Sequence, residues 1–168
     1  MAGAEWIRSD HRATYGVTMK AMTLTHQSGK FAGSPHGREE IGFVPWQFNM
    51  PDPGYEAAWQ FLMNKDFFYA DFGPLTVERH DPMFLLQSSC CWWSGMSWPY
   101  ATTQTLKAMA NWLQNYQPTK VTRADYAKLL RIYALTHRKN GKPCLAEAVH
   151  PDTGSFDGHD GYNHSEHY

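Results

Sequence analysis

The chain has 168 residues, of which 18% are charged and 15% are aromatic, and its formal net charge is -1. Disordered chains carry few aromatic residues and much charge, so this composition excludes a disordered protein and predicts a folded one. The length fits one domain with its own core. Without a long run of Lys or Arg, or an apolar stretch of roughly 20 residues, neither nucleic acid nor a membrane is expected as a partner.

The first part of the chain gives few signals. Residues 1–45 show no clear periodicity, and the stretch Tyr15 to Thr25 is compatible with a helix or a short strand. A first helix is predicted after residue 50, because Asp52 is a suitable N-cap and Pro53 suits the first helical position. Its predicted apolar face consists of Tyr55, Ala58, Trp59, Leu62 and Met63.

Two stronger helices follow in the second half. Apolar residues recur at helical spacing between Thr103 and Tyr116, on a face predicted to hold Leu106, Met109, Ala110, Leu113 and Tyr116. The next helix is predicted to begin at the N-cap Thr122, with Asp125 completing a capping box and Asn140-Gly141 ending the helix. Its predicted face holds Tyr126, Leu129, Leu130, Tyr133 and Ala134. Two such helices form an αα-hairpin.

Long segments rich in Gly, Pro, Asp and aromatic residues separate these helices, at 67–83, 88–100 and 143–168. Connections of that length are uncommon in compact domains unless they build a functional surface. The pattern therefore predicts helices as the scaffold and loops as the site.

The cysteines and the histidine-rich tail do not indicate a metal site. Cys90, Cys91 and Cys144 allow one long-range disulfide, one vicinal disulfide or three thiols, and buried thiols are favoured. The spacing of Asp and His between Asp157 and His167 matches no closed zinc pattern. No Gly-rich phosphate loop or nucleophile elbow occurs, so the sequence does not favour phosphoryl transfer or serine acyl transfer. No cofactor is expected. The ends of the chain indicate no compartment.

Three clusters could carry chemistry. Cys90–Tyr100 holds three tryptophans around a glycine, and indole faces suit sugar rings, although an aromatic plug over helix ends would look the same. The segment Gly37–Phe48 combines a charged turn with aromatic residues at the start of a helix. The alternative interpretation of this segment is a surface ion pair beside a tryptophan that packs in the core. Glu147 stands between small and apolar residues, which suits a partly desolvated carboxylate for acid–base chemistry, although a lone glutamate is usually a solvated side chain.

Taken in order, these clusters resemble the C-terminal portion of the six-hairpin glycosidases, specifically the mannosylglycerate-hydrolase-like proteins related to processing α-glucosidases and trehalases. The matching segments are Gly37–Phe48, Phe72–Arg79, Cys91–Leu106, Glu147–Gly154 and Asp160–Ser165. The Trp-x-Gly-x-x-Trp-Pro block together with the Glu-x-x-x-Pro-Asp-x-Gly block is the most specific combination. The resemblance divides the chain into a poorly matched segment, 1–36, and a glycosidase portion, 37–168.

The resemblance implies an all-α fold in which helical hairpins form part of an (α/α)6 toroid with long aromatic Gly/Pro-rich loops. It also implies hydrolysis of an α-linked sugar with inversion, with Glu147 as the general base that activates water. The implied sugar-binding residues are Trp93, Trp98, Trp46, Arg38, Glu39, Gln104 and His164.

The family's general acid is an Asp upstream of every matched block, and residues 1–36 hold no corresponding block. The sequence therefore predicts an excerpt of a catalytic domain, roughly its last third, that associates with itself or with a complementary segment. The first alternative is a non-catalytic carbohydrate-binding or assembly module. The second is a metal-dependent protein that uses the histidine-rich tail.

Overall fold

A computed structural model describes residues 24–25, 35–36, 38–82, 84–85, 94–139, 141–144 and 147–155. Within them, β1 (Leu24–Thr25) pairs antiparallel with β2 (Pro35–His36). A nine-residue 3-10 helix spans Glu40–Phe48. No helix in these ranges combines the length and the apolar character that crossing a bilayer requires.

The 3-10 helix presents one buried face to the core. Three residues complete a turn of such a helix, so side chains three apart align, and Glu40, Phe43 and Trp46 are 2%, 0% and 1% exposed. The helix ends at Asn49, which adopts the left-handed conformation with φ 53° and donates its N–H to the carbonyls of Pro45 and Trp46.

The helix predicted after residue 50 is shorter than its pattern indicated. A 3-10 turn, Glu56–Ala58, leads into α1 (Trp59–Leu62). Asp52 does not cap it, because the chain turns at Pro53-Gly54 and Gly54 takes a φ of 106°. The predicted burial of Ala58, Trp59 and Leu62 is nonetheless confirmed.

Helix α2 (Pro99–Asn115) is the longest element in the described ranges. It begins four residues before the predicted start, because Pro99 needs no N–H partner in the first turn. The hydroxyl of Thr103 donates to the carbonyl of Pro99 at 2.8 Å. Leu106 and Met109 are buried, so this part of the predicted face is confirmed. The rest of the face was partly wrong, because Ala110, Leu113 and Tyr116 are half-buried while Trp112, outside the predicted face, is 1% exposed.

Helix α3 (Arg123–Thr136) begins as predicted, since Thr122 and Asp125 form a capping box. The N–H of Asp125 donates to Thr122 Oγ1 at 3.2 Å, and the N–H of Thr122 donates to Asp125 Oδ2 at 2.8 Å. The predicted face was partly wrong, because Leu130 is 43% exposed while Ile132 is 8% exposed.

The end of α3 also differs from the prediction. The helix stops at Thr136, and β3 (Arg138–Lys139) pairs antiparallel with β4 (Lys142–Pro143). Gly141, with a φ of 77°, therefore lies in the turn of this hairpin rather than at a helix C-terminus.

The core joins the 3-10 helix, α1 and α2 through aromatic rings. Trp59 lies 4.9 Å from Phe43, 5.3 Å from Trp46 and 5.7 Å from Trp112 between ring centroids. Asn111 of α2 donates from Nδ2 to the carbonyl of Trp46 at 3.0 Å. The packing fixes the 3-10 helix against α2, and the candidate site lies along that junction.

Candidate functional site

A cleft of about 410 Å³ opens between the start of the 3-10 helix and the first turns of α2. This volume falls in the usual range for sites that bind small molecules. The residues that line it are Glu39, Glu40, Ile41, Val44, Thr76, Tyr100, Ala101 and Gln104. Carboxyl, amide and hydroxyl groups therefore share the cleft with an apolar wall.

Glu40 is the most unusual residue of this cleft. Its side chain is buried, and Thr105 Oγ1 of α2 donates to its Oε1 at 2.7 Å. Its Oε2 has no hydrogen-bond partner among the residues that the structure describes. Burial raises the pKa of Glu40 to about 8, because the ionised form would lose its hydration, and the hydrogen bond from Thr105 opposes that rise. Glu40 is therefore mostly an uncharged acid at neutral pH.

Thr76 joins three segments around the cleft. Its carbonyl accepts from the N–H of Glu40 at 2.9 Å, and its hydroxyl donates to the carbonyl of Met96 at 3.0 Å. The same hydroxyl accepts from the N–H of Gly95 at 2.9 Å. These bonds hold the loop before α2 against the start of the 3-10 helix.

Two residues predicted as sugar partners, Glu39 and Gln104, meet in this cleft. Glu39 is exposed and forms an isolated antiparallel bridge with Val77. Gln104 donates from Nε2 to the hydroxyl of Tyr100 at 3.2 Å. The fold thus brings together polar groups that are 65 residues apart in sequence.

Glu147, the predicted base, lies on a loop beside the start of α2. Its side chain is 8% exposed, and its Oε2 has no hydrogen-bond partner in the described ranges. Two residues further on, Val149 and Ser97 exchange backbone hydrogen bonds of 3.0 and 2.9 Å. The neighbouring Ala148 belongs to a buried cluster with Trp98 and with Ala101, which also lines the cleft.

The loop that carries Glu147 is anchored at its far end. Asp152 accepts two hydrogen bonds from the guanidinium of Arg79, one of them at 3.0 Å, and this pairing lowers the pKa of Asp152. The N–H of Phe72 donates to the carbonyl of Pro151 at 3.0 Å. Gly154 has a φ of 68° and faces the Phe72 ring so closely that a Cβ would collide with it. Three independent restraints therefore hold the backbone after Glu147.

Two other predicted sugar partners lie away from the cleft. Trp46 is 1% exposed in the aromatic core, so it presents no face to a sugar. Arg38 Nη1 donates to Glu78 Oε2 at 2.7 Å, and its guanidinium lies 4.1 Å from the centre of the Phe61 ring. Arg38 precedes the 3-10 helix and Trp46 lies near its end, and neither residue lines the cleft.

The remaining predicted residues, Trp93 and His164, lie outside the described residues, as do Cys90 and Cys91. Cys144 is half-buried and free. Among the residues whose placement is described, no three His, Cys, Asp or Glu side chains form a group that could hold a metal ion.

Sequence reasoning singled out Glu39 and missed its neighbour Glu40. The signal was present, because Glu40 stands three and six residues before Phe43 and Trp46. Such a spacing aligns side chains in a 3-10 helix, but a helix of this length in that form is uncommon and was not expected. Thr105, its partner on α2, had no distinguishing pattern.

The chain is similar to known proteins over most of its length. Residues 13–165 match the family described as the mannosylglycerate hydrolase MGH1-like glycoside hydrolase domain. A structure titled "Sialidase" is similar with a TM-score of 0.74 and 30% identity, over 92% of this chain and 15% of that one. Comparison with curated protein sequences gives no match.

Two structures of the GH63 mannosylglycerate hydrolase from Thermus thermophilus are also similar. The complex with glucose has a TM-score of 0.57 and 18% identity, over 90% of this chain and 33% of that one. The complex with Tris has a TM-score of 0.53 and 19% identity, over 73% and 27%.

These likenesses confirm an all-α fold that forms part of an (α/α)6 toroid. The chain spans about a third or less of the length of each of these structures. The family match begins at residue 13, inside the segment 1–36 that the motifs matched only poorly.

Proposed function

The chain belongs to the mannosylglycerate hydrolase MGH1-like glycoside hydrolase family, and from this premise we propose that it forms part of an inverting glycoside hydrolase. The substrate in this proposal is an α-linked sugar, and Glu147 is the general base. The resemblance in the sequence motifs and the family match agree. Beyond membership of this family, we propose the inverting mechanism and the roles of individual residues.

The observation that carries the proposal is the setting of Glu147. Its carboxyl group is buried and leaves Oε2 without a partner among the described residues. The bridge between Ser97 and Val149 and the ion pair between Arg79 and Asp152 restrain its loop. A general base has to be held in place with a free acceptor oxygen before water arrives.

In this mechanism the carboxylate of Glu147 takes a proton from a water molecule, and the oxygen of that water attacks the anomeric carbon. The bond to the leaving oxygen breaks, and a second carboxyl group protonates that oxygen from the opposite face. The two carboxyl groups of an inverting enzyme stand roughly 6.5–9.5 Å apart to admit the water. We propose that the acid is supplied by a part of the catalytic domain that is not among the matched motifs of this chain.

The proposed sugar subsite combines the cleft with the tryptophan loop. Glu39 and Gln104 line the cleft and offer groups for hydroxyl contacts. Trp98 packs beside Ala101 at its edge, while Trp93 and His164 are carried over from the family motifs alone. A carbohydrate ligand agrees with a cleft that is both apolar and hydrogen-bonding.

Glu147→Gln is expected to reduce hydrolysis by about 10²- to 10⁴-fold, because an amide cannot accept the proton of the attacking water. The measurement is the rate of reducing-sugar release by the catalytic domain that contains this segment. Glu56→Gln is the matched control, since Glu56 accepts a hydrogen bond from Gly54 in a turn that does not line the cleft. Full hydrolysis by the Glu147→Gln variant would rule out Glu147 as the general base.

A non-catalytic carbohydrate-binding module is the second candidate, because the chain spans only 15% to 33% of its structural relatives. It predicts sugar binding that survives Glu147→Gln and drops at least about tenfold, or by about 1.4 kcal/mol, in Trp98→Ala. Titration calorimetry measures both affinities, and thermal melting checks that Trp98→Ala is folded. Equal affinities of the two variants would exclude this candidate.

A further inference from the structure

We propose that Thr76 is a positioning residue for the general base, and that its hydroxyl group sets the place of Glu147 relative to the cleft through residues 95–97. This inference rests on the proposed function, since it takes Glu147 as the base. Thr76 belongs to a segment that matches the family motifs, but neither the motifs nor the proposed mechanism gives it a role.

The first observation is that the Thr76 hydroxyl makes two hydrogen bonds to one short segment. Its Oγ1 donates to the carbonyl of Met96 at 3.0 Å and accepts from the N–H of Gly95 at 2.9 Å. All three residues are buried, and buried polar groups depend on protein partners because water has little access to them. A side chain without the hydroxyl would leave the N–H of Gly95 without this acceptor.

The second observation is that the same segment continues directly to the loop of the proposed base. Ser97 follows Met96 and exchanges backbone hydrogen bonds of 3.0 and 2.9 Å with Val149. Ser97 and Val149 are 2% and 1% exposed, and Glu147 stands two residues before Val149. Because the backbone between neighbouring residues has a nearly fixed length, a shift of Ser97 would be passed to Val149 and to the carboxyl group of Glu147.

The third observation is that the main chain of Thr76 is attached to the cleft. Its carbonyl accepts from the N–H of Glu40 at 2.9 Å, and Thr76 itself lines the cleft. One residue therefore bonds to the start of the 3-10 helix through its main chain and to the segment before α2 through its side chain. The distance between the proposed sugar subsite and the proposed base depends on this residue. Misplacing a catalytic group by about 1 Å can cost about 10²-fold in rate.

The first test measures amide hydrogen exchange in the full chain. Thr76→Val keeps the shape of the side chain and removes both hydroxyl bonds. It is expected to accelerate exchange at Gly95 and Val149 at least about tenfold relative to Leu129, a buried residue of α3 whose exchange reports global unfolding. Thr76→Ser keeps a donor and an acceptor, so both rates are expected to stay within about threefold of the parent chain.

Thr136→Val is the matched control for the exchange measurement. Thr136 is a buried threonine whose hydroxyl donates to the carbonyl of Tyr133 at 2.7 Å, and it does not line the cleft. Its substitution also removes a hydroxyl hydrogen bond from the fold. The rates at Gly95 and Val149, relative to Leu129, are expected to stay within about threefold of the parent chain.

The second test measures hydrolysis by the catalytic domain that contains this segment, with the α-mannoside and the α-glucoside of p-nitrophenol as probes. A nitrophenolate leaves without a proton, so the rate depends on the base more than on the acid. Thr76→Val is expected to lower kcat about tenfold or more and to leave KM within about threefold, because the base moves while the sugar contacts remain. Thr76→Ser is expected to keep kcat within about threefold, and Thr136→Val to leave it unchanged.

Should Thr76→Val not fold, the unmodified chain provides an independent measurement. If residues 95–97 and the loop of the base open together, the protection factors of Gly95 and Val149 are expected to agree within about threefold. They are expected to fall in parallel as urea is added below the unfolding transition.

Several outcomes would overturn the inference. Unchanged exchange in Thr76→Val would remove the role of the hydroxyl, and acceleration at Gly95 alone, or separate protection factors in the unmodified chain, would show that Val149 does not follow. A higher KM at constant kcat would make Thr76 a ligand contact instead. Full hydrolysis by Glu147→Gln would instead reject the proposed function, whereas loss of hydrolysis in Glu147→Gln with unchanged kcat in Thr76→Val would reject this inference alone.

Discussion

Trp59→Ala is expected to lower the free energy of unfolding by about 3–5 kcal/mol, the range for removing a large aromatic side chain from a core. Trp59 is 0% exposed and has three aromatic neighbours, Phe43, Trp46 and Trp112, whose ring centroids lie 4.9, 5.3 and 5.7 Å from its own. Since domains are stable by only about 5–15 kcal/mol, this loss approaches complete unfolding. Urea denaturation followed by far-UV circular dichroism measures it.

Phe48→Ala is the control for this prediction. Phe48 ends the same 3-10 helix that contributes Phe43 and Trp46 and is 64% exposed, so its removal is expected to change the free energy of unfolding by less than about 0.5 kcal/mol. A loss below about 1 kcal/mol for Trp59→Ala would contradict the prediction, because it would mean that the cavity closes or that the aromatic cluster does not carry the core.

Glu40→Gln is expected to stabilise the chain at about pH 8 and to leave its stability nearly unchanged at about pH 4.5. The pKa of Glu40 rises from 4.5 to about 8 on folding. Below pH 4.5 the carboxyl group of Glu40 is protonated in both the folded and the unfolded chain, so the protonated group contributes its full stabilisation to the folded chain. Between the two values only the unfolded chain releases the proton, and the free energy of unfolding falls by up to about 1.4 kcal/mol per pH unit.

The full shift corresponds to a difference of about 3–5 kcal/mol between the variant and the parent chain at about pH 8. Glutamine remains neutral and can still accept from Thr105, so its stability lacks this pH dependence. Urea denaturation of both proteins at about pH 5, 6.5 and 8 measures the difference, in which the other titrating groups cancel. A difference that stays constant over this range would show that Glu40 ionises normally in the folded chain.

The helical hairpin was predictable because its signals are local. Thr122 and Asp125 form the capping box that their spacing indicated, and burial in α2 follows the helical period through Leu106 and Met109. A capping box depends on four consecutive residues, and a helical face depends on one or two turns. Such features need no knowledge of distant partners.

The predictions that were wrong concern local signals with more than one meaning. Asp52-Pro53 suits the start of a helix as well as a turn, and the chain takes the turn. Asn-Gly suits a helix end as well as a hairpin, and the pairing of Arg138 with Pro143 decided in favour of the hairpin. Only the packing of the flanking segments distinguishes these alternatives.

By itself, the sequence determined the helical class and the family, and it predicted a set of candidate site residues, because motif spacing and periodicity can be read along the chain. The tertiary structure decided which of those residues share a cleft. It placed Trp46 in the core, paired Arg38 with Glu78, and buried Glu40 against Thr105, a partner 65 residues away. Burial, and with it the raised pKa of Glu40, depends on what packs from elsewhere in the chain, so no local pattern could reveal it.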